Sequence, residues 1–431
     1  MRRWLIGLAA VVLVAISCTS SNSESANPSA SHEPVTITVL DYYGSATPFS
    51  KEVIAGFEHK YPWITVKYEA GDWDTMHEKF TVRVTSNDSP DVATMDMTWI
   101  PTFASKQIFA DLGDLSGGQL NGQPIESAYS QGALDAMKYN DAYVTMMFDF
   151  DTYALYYRAD QFDKKGVKVP TNWDELSSAA QQVAEDTNGD GRCDKYCFEV
   201  VGTTDCFHWC QFLFQDGGSV LNADNTAAAF NSEAGSSSLE YYKSFLDNGS
   251  GIYWADAQGD PIRGIKDGTI GMFLDGPYYM GLLKNAAPEL SGDWKVAQAP
   301  YSQQPGSYLG GTGLSIPVNA PHPQEAWLFV QYMLELPQQI GVFTLAGAAP
   351  ATSAALDSPE LTKPDPYFDG QAPFPIFKDT MATATHFPYV DQWETIDTDI
   401  GDMVNSVLLG KATAQQAVAD GATQVNNDLS G

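Results

Sequence analysis

The strongest constraint on this chain is a switch of hydrophobic period at the start of its patterned region. Val35-Thr36-Ile37-Thr38-Val39-Leu40 alternates with period two, as a half-buried strand does. Phe49, Val53, Ile54 and Phe57 then recur at helical spacing, and Tyr61-Pro62 ends that helix. Ile64, Val66 and Tyr68 alternate again. Strand, helix and strand in succession form a β-α-β unit, because parallel neighbours need a crossover of this length. The expectation is an α/β fold built on parallel strands.

Later segments repeat the pattern. Val92 to Met95, Val144 to Phe150 and Ile270 to Leu274 read as strands, the last running into the Gly276-Pro277 turn. Thr171-Asn172-Trp173-Asp174 reads as a capping box ahead of a helix at Leu176 to Ala184. Leu239, Tyr242 and Phe245 predict a helix after Asn231-Ser232, and Ala326, Phe329, Val330 and Met333 another. Two final helices are expected at 395–409 and 412–428, with Gly410 as the stop between them.

The N-terminus states where the chain goes. Arg2 and Arg3 precede the apolar run Trp4 to Ile16, which is too short to span a bilayer comfortably and reads as a secretory signal peptide over 1–17. Ala15-Ile16-Ser17-Cys18 resembles a bacterial lipoprotein cleavage box, with Ala15 where leucine is usual. That resemblance implies a mature chain lipid-anchored to the cell membrane through Cys18, outside the cytoplasm. Residues 18–34, rich in Ser, Asn and Pro, read as a flexible tether. Roughly 400 remaining residues exceed one compact core, so two lobes are expected. Acidic residues number 54 against 23 basic, a net charge of −31, which argues against nucleic acid as a partner.

Cys193, Cys197, Cys206 and Cys210 lie close together, an even set that reads as two disulfides in an oxidising compartment, with zinc or free thiols as the alternatives. If Cys206 and Cys210 share a helix at i and i+4, their Cβ atoms are about 5–6 Å apart, too far to bond. Bonding of both across to Cys193 and Cys197 is therefore expected.

Several landmarks in order resemble the carbohydrate-binding family of extracellular solute-binding proteins that serve ABC importers, family 1, in its trehalose/maltose-binding branch. They are Phe57 to Val66, Asn87-Asp88-Ser89-Pro90-Asp91-Val92, Leu155-Tyr156-Tyr157-Arg158 followed by Thr171 to Leu176, Phe212 to Gly218, Asp275-Gly276-Pro277-Tyr278-Tyr279, and Gly310 to Pro317. The resemblance implies a two-lobed fold, with 35–148 and 301–346 in one lobe and 151–298 and 349–431 in the other. It further implies a monomer that closes on a di- or oligosaccharide and delivers it to the permease subunits of an importer.

A sugar needs carboxylates or amides for its hydroxyls and aromatic rings for its C–H faces. In α/β sheets such groups collect beyond the carboxyl ends of strands. Asp96 and Trp99 follow one strand, Tyr42 and Tyr43 another, Asp149 and Asp151 a third, and Tyr278 and Tyr279 a fourth. Trp73 and Asp74 follow the second strand in a turn, and Gly310-Gly311-Thr312 lets backbone amides approach a ligand. The resemblance implies ligand contacts at Asp96, Asp151, Tyr278, Tyr279, Gly310 and Gly311, and more loosely at Tyr43, Trp73 and Trp99. Core packing of Tyr278 and Trp99, and helix capping by Asp96, are the alternatives. Trp209, Trp254 and Trp393 are assigned to the core.

Asp186, Asn188, Asp190, the Arg192 carbonyl and Asp194 place oxygen donors at calcium-loop positions around Gly191, predicting a structural calcium site. Cys197 stands where the closing glutamate belongs, leaving Glu199 or a remote group to complete it. An Asx-rich turn without metal is the alternative. Functionally, a binding protein without catalysis is expected, with a secreted glycoside hydrolase as the competing class.

Overall fold

The computed structural model describes residues 32–42, 48–86, 88–202, 206–255, 261–388 and 390–430. The signal peptide, Cys18 and Tyr43 lie outside them. Two five-stranded sheets organise the chain. In the first, Val35–Asp41 pairs in parallel with Ile64–Ala70 and Val92–Asp96, as the period switch predicts. Thr312–Ser315 then joins antiparallel to Val92–Asp96, with Met146–Met147 at the edge. In the second sheet, Cys197–Val200 runs parallel to Gly251–Tyr253 and Ile270–Asp275. Ala154–Arg158 is antiparallel to Ile270–Asp275 and to Trp294–Ala297.

Two connectors, 148–153 and 298–311, carry the chain between the sheets. They meet at one bridge, where Asp151 and Gly310 each donate an amide to the other's carbonyl, both at 2.9 Å. A third segment, Ala349–Pro350, pairs antiparallel with Asp149–Phe150. The single strand expected over Val144 to Phe150 is thus broken into Met146–Met147 and Asp149–Phe150. The chain must change pairing partners there as it leaves the first sheet for the second.

The helices form where their sequences allow. Trp173–Val183 buries Leu176, Ala180 and Val183 along one stripe. Its cap is Asn172, one residue later than expected: Asn172 Oδ1 accepts the Glu175 amide, and Glu175 Oε2 accepts the Thr171 amide. Ser232 caps Glu233–Asp247 by accepting from the Gly235 amide. Trp393–Leu408 and Ala414–Ser430 close the chain, with Gly410 between them at φ 69°. Trp209, Trp294 and Trp393 are fully buried, consistent with the core assignment of Trp209 and Trp393.

The cysteine pairing corrects the expectation. Cys193 is bonded to Cys197, and neither reaches Cys206 or Cys210. Tyr196 adopts φ 56° and folds the chain back before the strand, bringing the Cys193 and Cys197 Cα atoms within 5.7 Å. Cys206 and Cys210 are buried thiols whose sulfurs lie 2.8 Å apart. Cys206 stands at the cap of the Phe207–Gln215 helix, and its carbonyl accepts the Cys210 amide at 2.8 Å, so the two lie on one helical turn. Non-reducing peptide mapping should recover Cys193 joined to Cys197, and any link from either to Cys206 or Cys210 would contradict the fold. Burial should also slow alkylation of Cys206 in the native protein relative to the denatured chain.

Candidate ligand cleft

The ends of both sheets face a cavity of about 540 Å³. Asp96 enters it from the end of Val92–Asp96, and Thr312 from the start of the neighbouring strand. Asp275 enters from the end of Ile270–Asp275, and Glu199 from within Cys197–Val200. Asp149, Asp151, Tyr153 and Tyr308 come from the connectors. The wall therefore draws on both sheets and on the segments that join them.

Several of the polar groups are held. Asp96 Oδ1 accepts from the Thr98 amide at 2.9 Å and from its hydroxyl at 2.7 Å, and Trp73 Nε1 donates to Oδ2 at 3.1 Å. Asp96 thus orders the following turn and lines the cavity as well. Trp73 is 39 % exposed and rests on Trp99, ring centroids 4.7 Å apart. Trp99 is buried and supports that ring from behind. Asp149 Oδ1 accepts the Thr312 amide at 2.9 Å, and the Thr312 hydroxyl is 2.6 Å from that of Tyr42. Tyr308 donates to Asp151 Oδ2 at 2.7 Å, and Tyr278 donates to Asp275 Oδ1 at 2.6 Å.

Two glycines are required by crowding. A Cβ on Gly276 would stand 1.9 Å from Asp151 Oδ1. Gly311 has φ 138° and would press a Cβ to within 2.3 Å of the Asp149 carbonyl oxygen. Gly276 lets the Asp151 carboxylate lie against the backbone, and Gly311 lets two backbone segments of the junction approach closely.

Burial governs the acids. It pushes Asp149 up to about 7 and Glu199 up to about 8, since a desolvated carboxylate favours its neutral form. Asp151 is driven well above the carboxylate range by burial first and then by the charge of Asp275. Asp149 Oδ2, Asp151 Oδ1 and Glu199 Oε1 are buried oxygens with no hydrogen-bond partner among the described residues.

Of the expected ligand residues, Trp73, Asp96, Asp151, Tyr278, Tyr279, Gly311 and Thr312 line the cavity. Asp74, Trp99 and Gly310 do not, although Gly310 pins the connector through Asp151. Tyr42 and Asp149, marked in the sequence only as strand-end residues, belong to the wall. Trp254, assigned to the core, also lines it, as do Tyr153, Glu199, His208, Asp275 and Tyr308. Asp275 ends a strand, so the rule that found Asp96 would have found it. Glu199 faces the cleft, which takes it away from the Asp186 loop it was expected to complete.

In that loop Asp186 accepts the Gly189 and Gly191 amides at 2.6 and 2.8 Å. These bonds hold its carboxyl below the usual range. Asn188 accepts the Asp190 amide, Asp190 accepts the Arg192 amide, and Asp194 accepts from the Thr187 amide and hydroxyl. The donors are hard oxygens of the kind calcium takes, and each carboxylate retains lone pairs. Among the described residues no group of three or more acidic, histidine or cysteine side chains gathers in metal-holding geometry.

Two α/β sheets with a polar, aromatic-lined cleft at their strand ends define a solute-binding architecture. The sequence profile of bacterial extracellular solute-binding proteins matches residues 52–368, and this chain belongs to that family. A binding protein of Brucella abortus (strain 2308) is 24 % identical over 434 residues, covering 99 % of this chain and 98 % of the relative. The diacetylchitobiose binding protein DasA of Streptomyces coelicolor is 21 % identical, covering 98 % of this chain and 96 % of its own. The GacH receptor of Streptomyces glaucescens, solved unliganded and with acarbose, shares the fold with a TM-score of 0.80 at 22 % identity, over 93 % of this chain and 99 % of its own. No helix among the described residues is long and apolar enough to cross a membrane.

The raised carboxylates fix a pH dependence. Asp149 and Glu199 hold protons more tightly folded than unfolded, so the folded state binds more protons between the ordinary carboxylate range and about 7 and 8 respectively. Their contribution to stability is full below the unfolded value and is lost as pH rises through the folded one. Ligand-free protein should accordingly melt higher near pH ~5 than near pH ~8.5, and Asp149→Asn with Glu199→Gln should flatten the difference in a thermal melt.

Proposed function

We propose that this chain is the capture subunit of an ABC sugar importer, binding a di- or oligosaccharide in the cleft without chemically altering it. The cleft carries the reading: about 540 Å³, with the exposed Trp73 ring and Tyr278 available for stacking and carboxylates available for hydroxyls. That volume falls within the ~300–1,000 Å³ usual for small-molecule sites. DasA, named for diacetylchitobiose, and GacH, solved with acarbose, support a saccharide as the solute. Hinge closure about the connectors would bury the sugar and complete the surface presented to the permease. Calorimetry against a sugar panel, with chromatography of the recovered sugar, tests this. Trp73→Ala and Tyr278→Ala should each weaken binding about tenfold, within the energy of one lost aromatic contact. Turnover of a glycoside would overturn the reading.

Cys18 as the lipid-bearing mature N-terminus would hold a monomer beside its permease. Cys18→Ser should move the protein from the membrane fraction to the medium or the soluble fraction. The Asp186–Asp194 loop is assigned as a structural calcium site on its alternating oxygen donors. Adding calcium to EDTA-treated protein should raise the melting temperature, and no shift would leave the loop as a set of Asx turns.

A further inference from the structure

The cleft is more acidic than hydroxyl recognition requires. Asp96, Asp149, Asp151, Glu199 and Asp275 all line it, and His208 is the one basic side chain among the described lining residues. His208 Nε2 lies 3.8 Å from Asp275 Oδ2. Segments 43–47, 203–205 and 256–260, next in sequence to lining residues, contain no lysine or arginine.

An acidic composition alone does not produce this arrangement. Elsewhere some carboxylates meet cations: Glu69 meets Lys67, Lys79 and Arg83, and Arg158 bridges Asp160 and Asp293. In the cleft, Asp149 and Glu199 are only 3 % and 4 % exposed, and each keeps an oxygen without a hydrogen-bond partner. Asp151 Oδ1 is in the same condition. The acids also sense one another: Asp151 feels Asp275, Asp149 and Asp96, and Glu199 feels His208 first, which favours its ionised form, and then Asp275, which opposes it.

A hydroxyl donates one hydrogen bond to such an oxygen and does little to favour its ionised form. An ammonium brings three donors and a compensating charge, and aromatic faces attract it further. Building on the sugar-capture reading, we propose that the solute is a cationic, amine-bearing saccharide whose ammonium sits against the carboxylates running from Asp149 through Asp151 and Asp275 to Glu199. Burial raises the proton affinity of Asp149, Asp151 and Glu199 in the empty cleft, so the ammonium binds by favouring their ionised form and releasing protons. A neutral sugar of equal size leaves them protonated.

The test uses mature protein and matched probes: cellobiose and maltose, each beside its 2-amino-2-deoxy counterpart, titrated calorimetrically at neutral pH. The amine should bind at least ~10-fold tighter than the neutral member of its pair, and added salt should narrow the gap. Glu199→Gln, which keeps shape and removes the ionisable carboxyl, should bring the ratio towards one. Asp149→Asn gives the same reading should the first variant fail to fold. If neutral sugars bind as well as the amines or better, this inference falls and sugar capture stands. If no member of either pair binds, both fall.

Discussion

The structure turns on the reciprocal amide–carbonyl bonds between Asp151 and Gly310. They join the two connectors that run between the sheets, at the level where strand ends from both sheets converge. Asp149–Phe150 is held a residue earlier by pairing with Ala349–Pro350. With the backbone fixed on both sides, Asp149 and Asp151 have little freedom to turn back towards water. Their burial, and the raised proton affinity that follows, is a consequence of this junction. Gly276 serves the same end by leaving no Cβ against the Asp151 carboxylate, and Gly311 by letting its backbone meet that of Asp149.

Much of this was legible in the sequence because periodicity reports burial directly. The alternation at Val35 to Leu40 and Ile64 to Tyr68 gave parallel neighbours, and the stripe of Phe49, Val53 and Phe57 gave the helix between them. The strand-end rule placed Asp96, Asp151 and Tyr278 in the cleft. It missed Glu199, which reaches the cleft from inside a strand, where its direction depends on which face of the sheet is turned inward. Tyr308 and His208 arrive through long-range packing of rings: Tyr308 against Phe207 and Phe387, His208 against Tyr153. No local pattern encodes such contacts. The cysteines failed for a related reason. Pairing depends on a left-handed residue at Tyr196, which is finer than spacing can show.

The acidic composition takes different forms in different places. On the surface it is partly met by lysines and arginines and partly solvated, where ion pairs contribute little each. In the Asp186 loop it caps backbone amides. In the cleft the acids are desolvated together and tied to tyrosine hydroxyls and backbone amides. Net charge alone describes none of these three environments. What separates them is the distance of each carboxylate from water and from a donor.

The pairing of Trp73 with Trp99 has an optical consequence. Trp73 projects 39 % of its surface at the mouth of the cleft, while Trp209, Trp294 and Trp393 are sealed in the interior. An occupant resting on the Trp73 indole strips water from a ring already coupled to a buried neighbour 4.7 Å away. Emission from that ring reports occupancy, together with that of half-buried Trp254 in the same cleft, against a background that includes the interior indoles. The protein carries its own fluorescent gauge of loading, and no dye has to be attached to read it.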